Sequence, residues 1–170
     1  MDIRVATEGD LPRILGLGKE FGHLMLYQKA PDMMKRYLPR ILVAEQDREV
    51  VGYFHYIVSG DPGFVEMLRC YRQMPEEILR EASSYPRGEL CSNMQGASHR
   101  EVFQEFIRFL QARYPRMWCY ISVKSRRRES MEMLGFTFDP EEVYTFWNCS
   151  KGDYSTYQLG RWKGDVLLRG

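Results

Sequence analysis

The chain has 170 residues, 44% hydrophobic and 28% charged, an ordinary globular composition long enough for one well-formed core and too short for two. Its 24 Lys and Arg residues against 23 acids leave a formal charge of +1, so no global field indicates a nucleic acid or another polyanion. Cys70, Cys91, Cys119 and Cys149 form no C-x-x-C pair, which argues against a zinc site, a redox motif or a disulfide framework. A reduced, cytoplasmic setting is the expectation. Met1-Asp-Ile-Arg4 has neither a basic nor an apolar leader pattern, and no apolar run approaches the roughly 18 residues that cross a bilayer, so no membrane is expected.

Taken in order, Ile3 to Val5 alternates as a short first strand. Thr7-Glu-Gly-Asp10 has the spacing of a capping box, so a helix should start there, bury Leu11, Ile14, Leu15, Gly18 and Phe21, and stop at Gly22. Pro31 to Pro39 predicts a second helix with Met33, Met34, Tyr37 and Leu38 inward. Ile41 to Glu45 and Val50 to Val58 read as strands joined by the polar turn Gln46-Asp-Arg-Glu49. Residues 59–87 interrupt the strand pattern. Gly60-Asp-Pro-Gly63 and Ser83-Ser-Tyr-Pro86 bracket two short predicted helices, Phe64 to Tyr71 and Pro75 to Ala82, a helical insertion that would flank one edge of the sheet.

The next stretch organises the rest. Leu90 and Cys91 suit a short buried strand, Gln95 to His99 a small-residue turn, and Val102, Phe103, Phe106, Ile107 and Leu110 share one face of a helix over Glu101 to Arg113. Strand, turn and helix in this order can aim unpaired helix-start amides at an anion. Tyr114-Pro115 ends that helix, and Met117 to Val123 is a dense aromatic and β-branched strand. Arg126 to Leu134 predicts a helix with Arg127, Met131 and Leu134 on one face, closed by Gly135. Val143 to Asn148 and Thr156 to Trp162 follow as strands around Ser150-Lys-Gly-Asp153, leaving 164–170 as a tail. The order predicts a single α/β domain over 1–163 with a mixed, mostly antiparallel sheet.

Several side chains carry two readings. Arg126-Arg-Arg128 beside Lys124 is either a solvated helix start or an anion grip, since cations there oppose the helix dipole. Glu89 is a strand-end acid or a general base. Cys91 and Cys119 read as buried small hydrophobes in adjacent core strands rather than nucleophiles. His23, His55 and His99 are too scattered for a metal site. Tyr144, Trp147, Tyr157 and Trp162 read as sheet faces or a homodimer surface.

Three segments, Ile3-Arg-Val-Ala-Thr-Glu-Gly-Asp-Leu-Pro-Arg-Ile14, Val43-Ala-Glu-Gln-Asp-Arg-Glu-Val-Val-Gly-Tyr53 and Met133-Leu-Gly-Phe136, in this order and spacing, resemble the GCN5-related N-acetyltransferase (GNAT) superfamily. The resemblance runs from about residue 3 to residue 162. It implies a sheet that splits as a V between strands four and five, helices on both faces, and acetyl-CoA or another acyl-CoA as co-substrate with no metal. It implies direct transfer of the acyl group to an amine on a small molecule or a protein. The pyrophosphate would lie on Gln95, Gly96, Ala97, Ser98, His99 and Arg100, with Ser98 and Arg100 standing where the family carries small residues. The amides near Asn93 and Met94 would polarise the thioester carbonyl, and Glu89, directly or through water, would take the amine proton. Lys124 falls on a common family Asn, and the usual acidic Tyr falls on Met131, leaving Ser130 as the adjacent hydroxyl.

Phe103 to Phe136 also resembles the GNAT-like internal virion proteins of tailed phages, which implies a non-catalytic binding or structural role as the alternative. The insertion and the Tyr-Pro break are similar to lysine acyltransferases that activate bacterial toxins, which implies an acyl carrier protein as donor and a protein lysine as acceptor. A nucleobase amine is a further acceptor class.

Overall fold

The computed structural model of the chain describes residues 1–21, 38–58, 87–94, 99–148 and 152–164. The Gly22 stop, nearly all of the predicted 31–39 helix, both predicted insertion helices, residues 95–98 and the 165–170 tail lie outside the described residues.

Local chemistry builds the first elements. β1 (Asp2–Val5) runs through a 3-10 turn (Glu8–Asp10) into α1 (Leu11–Phe21). The predicted cap is there: the Thr7 amide and hydroxyl donate to Asp10 Oδ2 at 2.7 and 3.1 Å. β2 (Ile41–Gln46) and β3 (Glu49–Ile57) form the predicted hairpin. Its turn residues Asp47 and Arg48 have φ of 51° and 66°, the left-handed pair whose twist matches that of the flanking strands.

β1 and β3 both pair antiparallel with β2, and β4 (Arg87–Met94) joins beyond β3, giving the order β1-β2-β3-β4. β2 and β3 read as unbroken apolar runs because both their faces are covered. On one face Ile14 and Leu17 of α1 pack with Ile41, Val43, Val50 and Tyr53. On the other, α2 (His99–Gln111) sets Phe106 against Phe54, ring centroids 5.4 Å apart.

β5 (Arg116–Ser122), α3 (Arg127–Met133), β6 (Thr137–Asn148) and β7 (Asp153–Lys163) follow, with the strands ordered β5-β7-β6, all antiparallel. Gly160 in the middle strand has no room for a side chain: a Cβ there would meet the Phe138 ring at 2.5 Å and Cys119 Sγ at 3.0 Å. β6 starts at Thr137 rather than Val143. Phe138 pairs with Gly160 and Val143 with Gln158, so Asp139-Pro-Glu-Glu142 bulges from the strand, which accommodates a proline that has no N–H to give a ladder.

The chain divides into two compact units, Met1–Tyr56 with Leu90–Phe106 and Ile57–Glu89 with Ile107–Gly170. The break between sheets falls where the split was expected, between β4 and β5, which belong to different sheets. Three expectations are corrected. Arg87 begins β4 rather than ending the insertion, and the strand at Leu90 and Cys91 is the longer Arg87–Met94 at the end of its sheet. Cys91 and Cys119 lie on strands of two different sheets, β4 and β5, rather than of one.

Candidate functional site

The stretch from β4 into α2 holds most of the residues singled out from the sequence. Glu89, Asn93 and Met94 all belong to β4. Strand alternation sends the amides of Asn93 and Met94 to opposite edges of the strand, so only one of them can serve as a donor at the outer edge. Gln95, Gly96, Ala97 and Ser98 fall outside the described residues. His99 and Arg100, expected in the loop, form the first turn of α2, and Arg100 is exposed. A helix of this length begins with amides that lack intrahelical acceptors, and its dipole favours an anion there.

In the other unit, β5 ends at Ser122 and exposed Lys124 follows in the turn. Ser125 Oγ accepts the amide of Arg127, the first residue of α3, at 3.1 Å. Arg128 donates to Glu132 Oε1 at 2.7 Å and to Gln158 Oε1 on β7 at 2.9 Å, with its guanidinium 5.7 Å from the centre of the Phe138 ring. One of the three arginines is thereby committed to holding α3 on the sheet. Met131 is fully buried and Ser130 is 6% exposed, so the position that the family gives to its acid is part of the core here. Gly135 then turns the chain at φ 92°, and Gln111 Nε2 donates to Leu134 O at 2.7 Å.

Cys119 is buried, and desolvation pushes its thiol up to about 12 despite a hydrogen bond with the Gly160 backbone, so it stays protonated at neutral pH. His55 is buried in β3, opposite Ile41. Among the described residues no group of three or more His, Cys, Asp or Glu is arranged to hold a metal, and no helix is long and apolar enough to cross a membrane.

Two arrangements escaped the sequence reading. Arg4 donates from Nη1 and Nη2 to both Asp10 oxygens at 2.7 and 2.9 Å, and from Nε and Nη2 to Glu45 Oε2 at 3.1 and 2.8 Å. These bonds, led by those from Arg4, hold the Asp10 carboxyl at about 2. The Arg128–Gln158 contact likewise joins residues 30 apart, so no local pattern announces it. Ser125 had a local signal, a hydroxyl two residues before the start of α3.

No family model matches the chain, and no curated protein matches it by sequence. Solved structures do. The ribosomal-protein-alanine N-acetyltransferase of Brucella melitensis superposes with a TM-score of 0.61 over 96% of this chain and 99% of its own, at 18% identity. A GNAT-family acetyltransferase of Bacillus cereus gives 0.62 over 96% and 97%, at 11% identity. A Salmonella typhimurium protein assigned as an acetyltransferase, solved with its cofactor acetyl-CoA, gives 0.58 over 97% and 94%, at 17% identity. Similarity over nearly the whole chain at such low identity is a likeness of backbone, and with the split between β4 and β5 it shows that this chain has the GCN5-related N-acetyltransferase fold.

Proposed function

We propose that the protein is an acyl-CoA-dependent N-acyltransferase that moves an acetyl or other acyl group directly onto an amine of a small molecule or a protein. The observation that carries this reading is the end-to-end likeness to acetyltransferases, one of them solved with acetyl-CoA. The donor set suits such a substrate. The first turn of α2 supplies amides and an exposed cation, Arg100, and Lys124 is a second exposed cation, all appropriate to a pyrophosphate or phosphate.

In this reading the thioester presents an electrophilic carbonyl. The attacking amine forms the new N–C bond as the C–S bond breaks. Glu89, directly or through a water, accepts the proton that the amine loses. An outward amide near Asn93 or Met94 stabilises the developing oxyanion. Gln95, Gly96, Ala97, Ser98 and His99 complete the phosphate cradle. Protonation of the departing thiolate is the weakly supplied step, because Met131 has no proton to give and Ser130 is a far weaker acid than a tyrosine.

A second reading, a non-catalytic binding member of the same fold, is favoured by one observation, the complete burial of Met131 at the acid position. Thermal unfolding in saturating acetyl-CoA separates the cases, since a ligand at ~100 times its Kd stabilises by about 2.7 kcal/mol. Stabilisation together with thiol release on a panel of amines supports the enzyme. Stabilisation without thiol release supports the binding member, and no shift with unchanged Trp fluorescence overturns acyl-CoA. In the enzyme case Glu89→Gln lowers kcat about 100-fold with the thermal shift intact, and Ser130→Ala lowers kcat if its hydroxyl serves the thiolate.

A further inference from the structure

We propose that the face of the β5-β7-β6 sheet beside the first turn of α3 is a docking surface for an acidic amphipathic helix of a partner protein. Cross-strand register fixes what this face presents. Ile121, Gln158 and Val143 stand in one row across the three strands, and Arg128 of α3 reaches that row through Gln158. The next rows of the same face, toward the β6–β7 turn, hold Thr145 with Thr156 and then Tyr154. Val123, just beyond β5, adjoins them by donating its amide to Thr156 O at 3.1 Å. Val143, Val123 and Tyr154 are 41%, 47% and 52% exposed, so apolar surface continues beyond the row that α3 reaches. Its size fits one helix: the four strand steps from Gln158 to Tyr154 span about 13 Å, close to the width of a helix with its side chains. A helix laid there rests beside α3 in the same layer.

Charge selects the occupant. From Lys124 to Leu134 there are four cations against two acids, and Arg128 already engages one of the acids, Glu132. Lys124 and Arg126 are exposed, and Arg126 stands at the start of α3, where the helix dipole opposes a cation. A carboxylate on the incoming helix offsets that opposition and pairs with the guanidinium. Exposed Asp153 lies next to Tyr154, at the other end of the face, so the partner's acids belong at the end nearest α3. A nucleic acid meets cations equally well, but the chain's formal charge of +1 supplies no broad field for one, and aliphatic Val123 and Val143 give its bases nothing to stack on. An apolar helix face flanked by carboxylates uses both halves of the surface.

Fluorescence anisotropy of the full chain with a labelled peptide of about 16 residues, long enough to hold a helix and carrying Leu on one face and Glu on its flanks, tests this. A peptide with Lys in place of Glu and a single-stranded oligonucleotide are the comparisons. The Glu peptide binds saturably and more weakly as salt rises. Arg126→Glu and Tyr154→Ser each raise its dissociation constant about tenfold or more, a change of about 1.4 kcal/mol. Arg48→Glu, the same charge change in the exposed β2–β3 turn, leaves it unaltered. Circular dichroism and thermal unfolding confirm that each variant is folded. No saturable binding of the Glu peptide, equal binding of the Lys peptide, equal weakening by Arg48→Glu, or tighter binding of the oligonucleotide overturns the proposal. The assay contains no acyl-CoA, so either result leaves the catalytic reading untouched.

Discussion

The two units use charge differently. In the first, Asp10 is 8% exposed, and its carboxylate receives Arg4, the Thr7 amide and the Thr7 hydroxyl, tying β1, the helix start and, through Arg4, Glu45 of β2. In the second, Arg128 and Glu132 pair on the surface of α3 with side chains 42% and 45% exposed, and Arg161 pairs with Glu142 beside the bulge. The chemistry is the same, but the surroundings are not. Water screens and competes with the exposed pair, whereas the inner carboxylate loses several directed bonds at once if it is removed.

The largest expected effect sharpens this contrast. Asp10→Ala should cost about 2–3 kcal/mol in urea unfolding, combining a lost helix cap with lost charge-assisted bonds. The same group sets an acid limit. Its carboxyl titrates near the usual 3.8 in the unfolded chain and at about 2 in the folded one, so its contribution is complete above about pH 4 and is lost as pH falls toward 2. Unfolding measured between pH 5 and 2 should show that slope, and Asp10→Asn should flatten it. An unchanged slope would mean that other carboxylates dominate.

Next comes the second unit's own constraint, which is steric. Gly160→Ala should cost about 1–2 kcal/mol, moderated because the part-exposed Phe138 ring can swing away, and Phe138→Leu should recover part of the loss in a double-mutant cycle. Glu132→Gln should cost no more than about 0.5 kcal/mol. If it costs as much as Asp10→Ala, the contrast in burial explains nothing. Smallest of all, Cys119 should resist iodoacetamide in the native protein and react once the chain is unfolded, as mass spectrometry of the two states would show.

Legibility differed between particular residues. Thr7 and Asp10, and the Asp47-Arg48 turn, could be read directly because cap and turn chemistry acts within a few positions. The amphipathic period of α2 marked its inner face, and Val102, Phe103, Phe106, Ile107 and Leu110 are all buried. The early start of β6 was hidden because Asp-Pro-Glu-Glu looks like a breaker and becomes part of a strand only through β7 opposite it. Arg128 was read as part of a solvated helix start or an anion grip, and not as a tie to β7, because Gln158 lies far along the chain. Of the candidate stretch, the strand before residues 95–98 and the helix after them were legible; that His99 and Arg100 belong to that helix, and that Ser130 is closed off, was not.

By itself the sequence determined the order of the described elements, the first helix cap, the first hairpin and, through three short segments in series, the fold. Periodicity, capping and turn geometry are properties of neighbouring residues, and they survive without knowledge of any partner. Only the tertiary structure decided that Gly160 makes room for Phe138, that Arg4 gathers Asp10 and Glu45, and that Met131 is core. Each of these depends on groups brought together from distant positions, where packing and burial rather than local propensity set the energy.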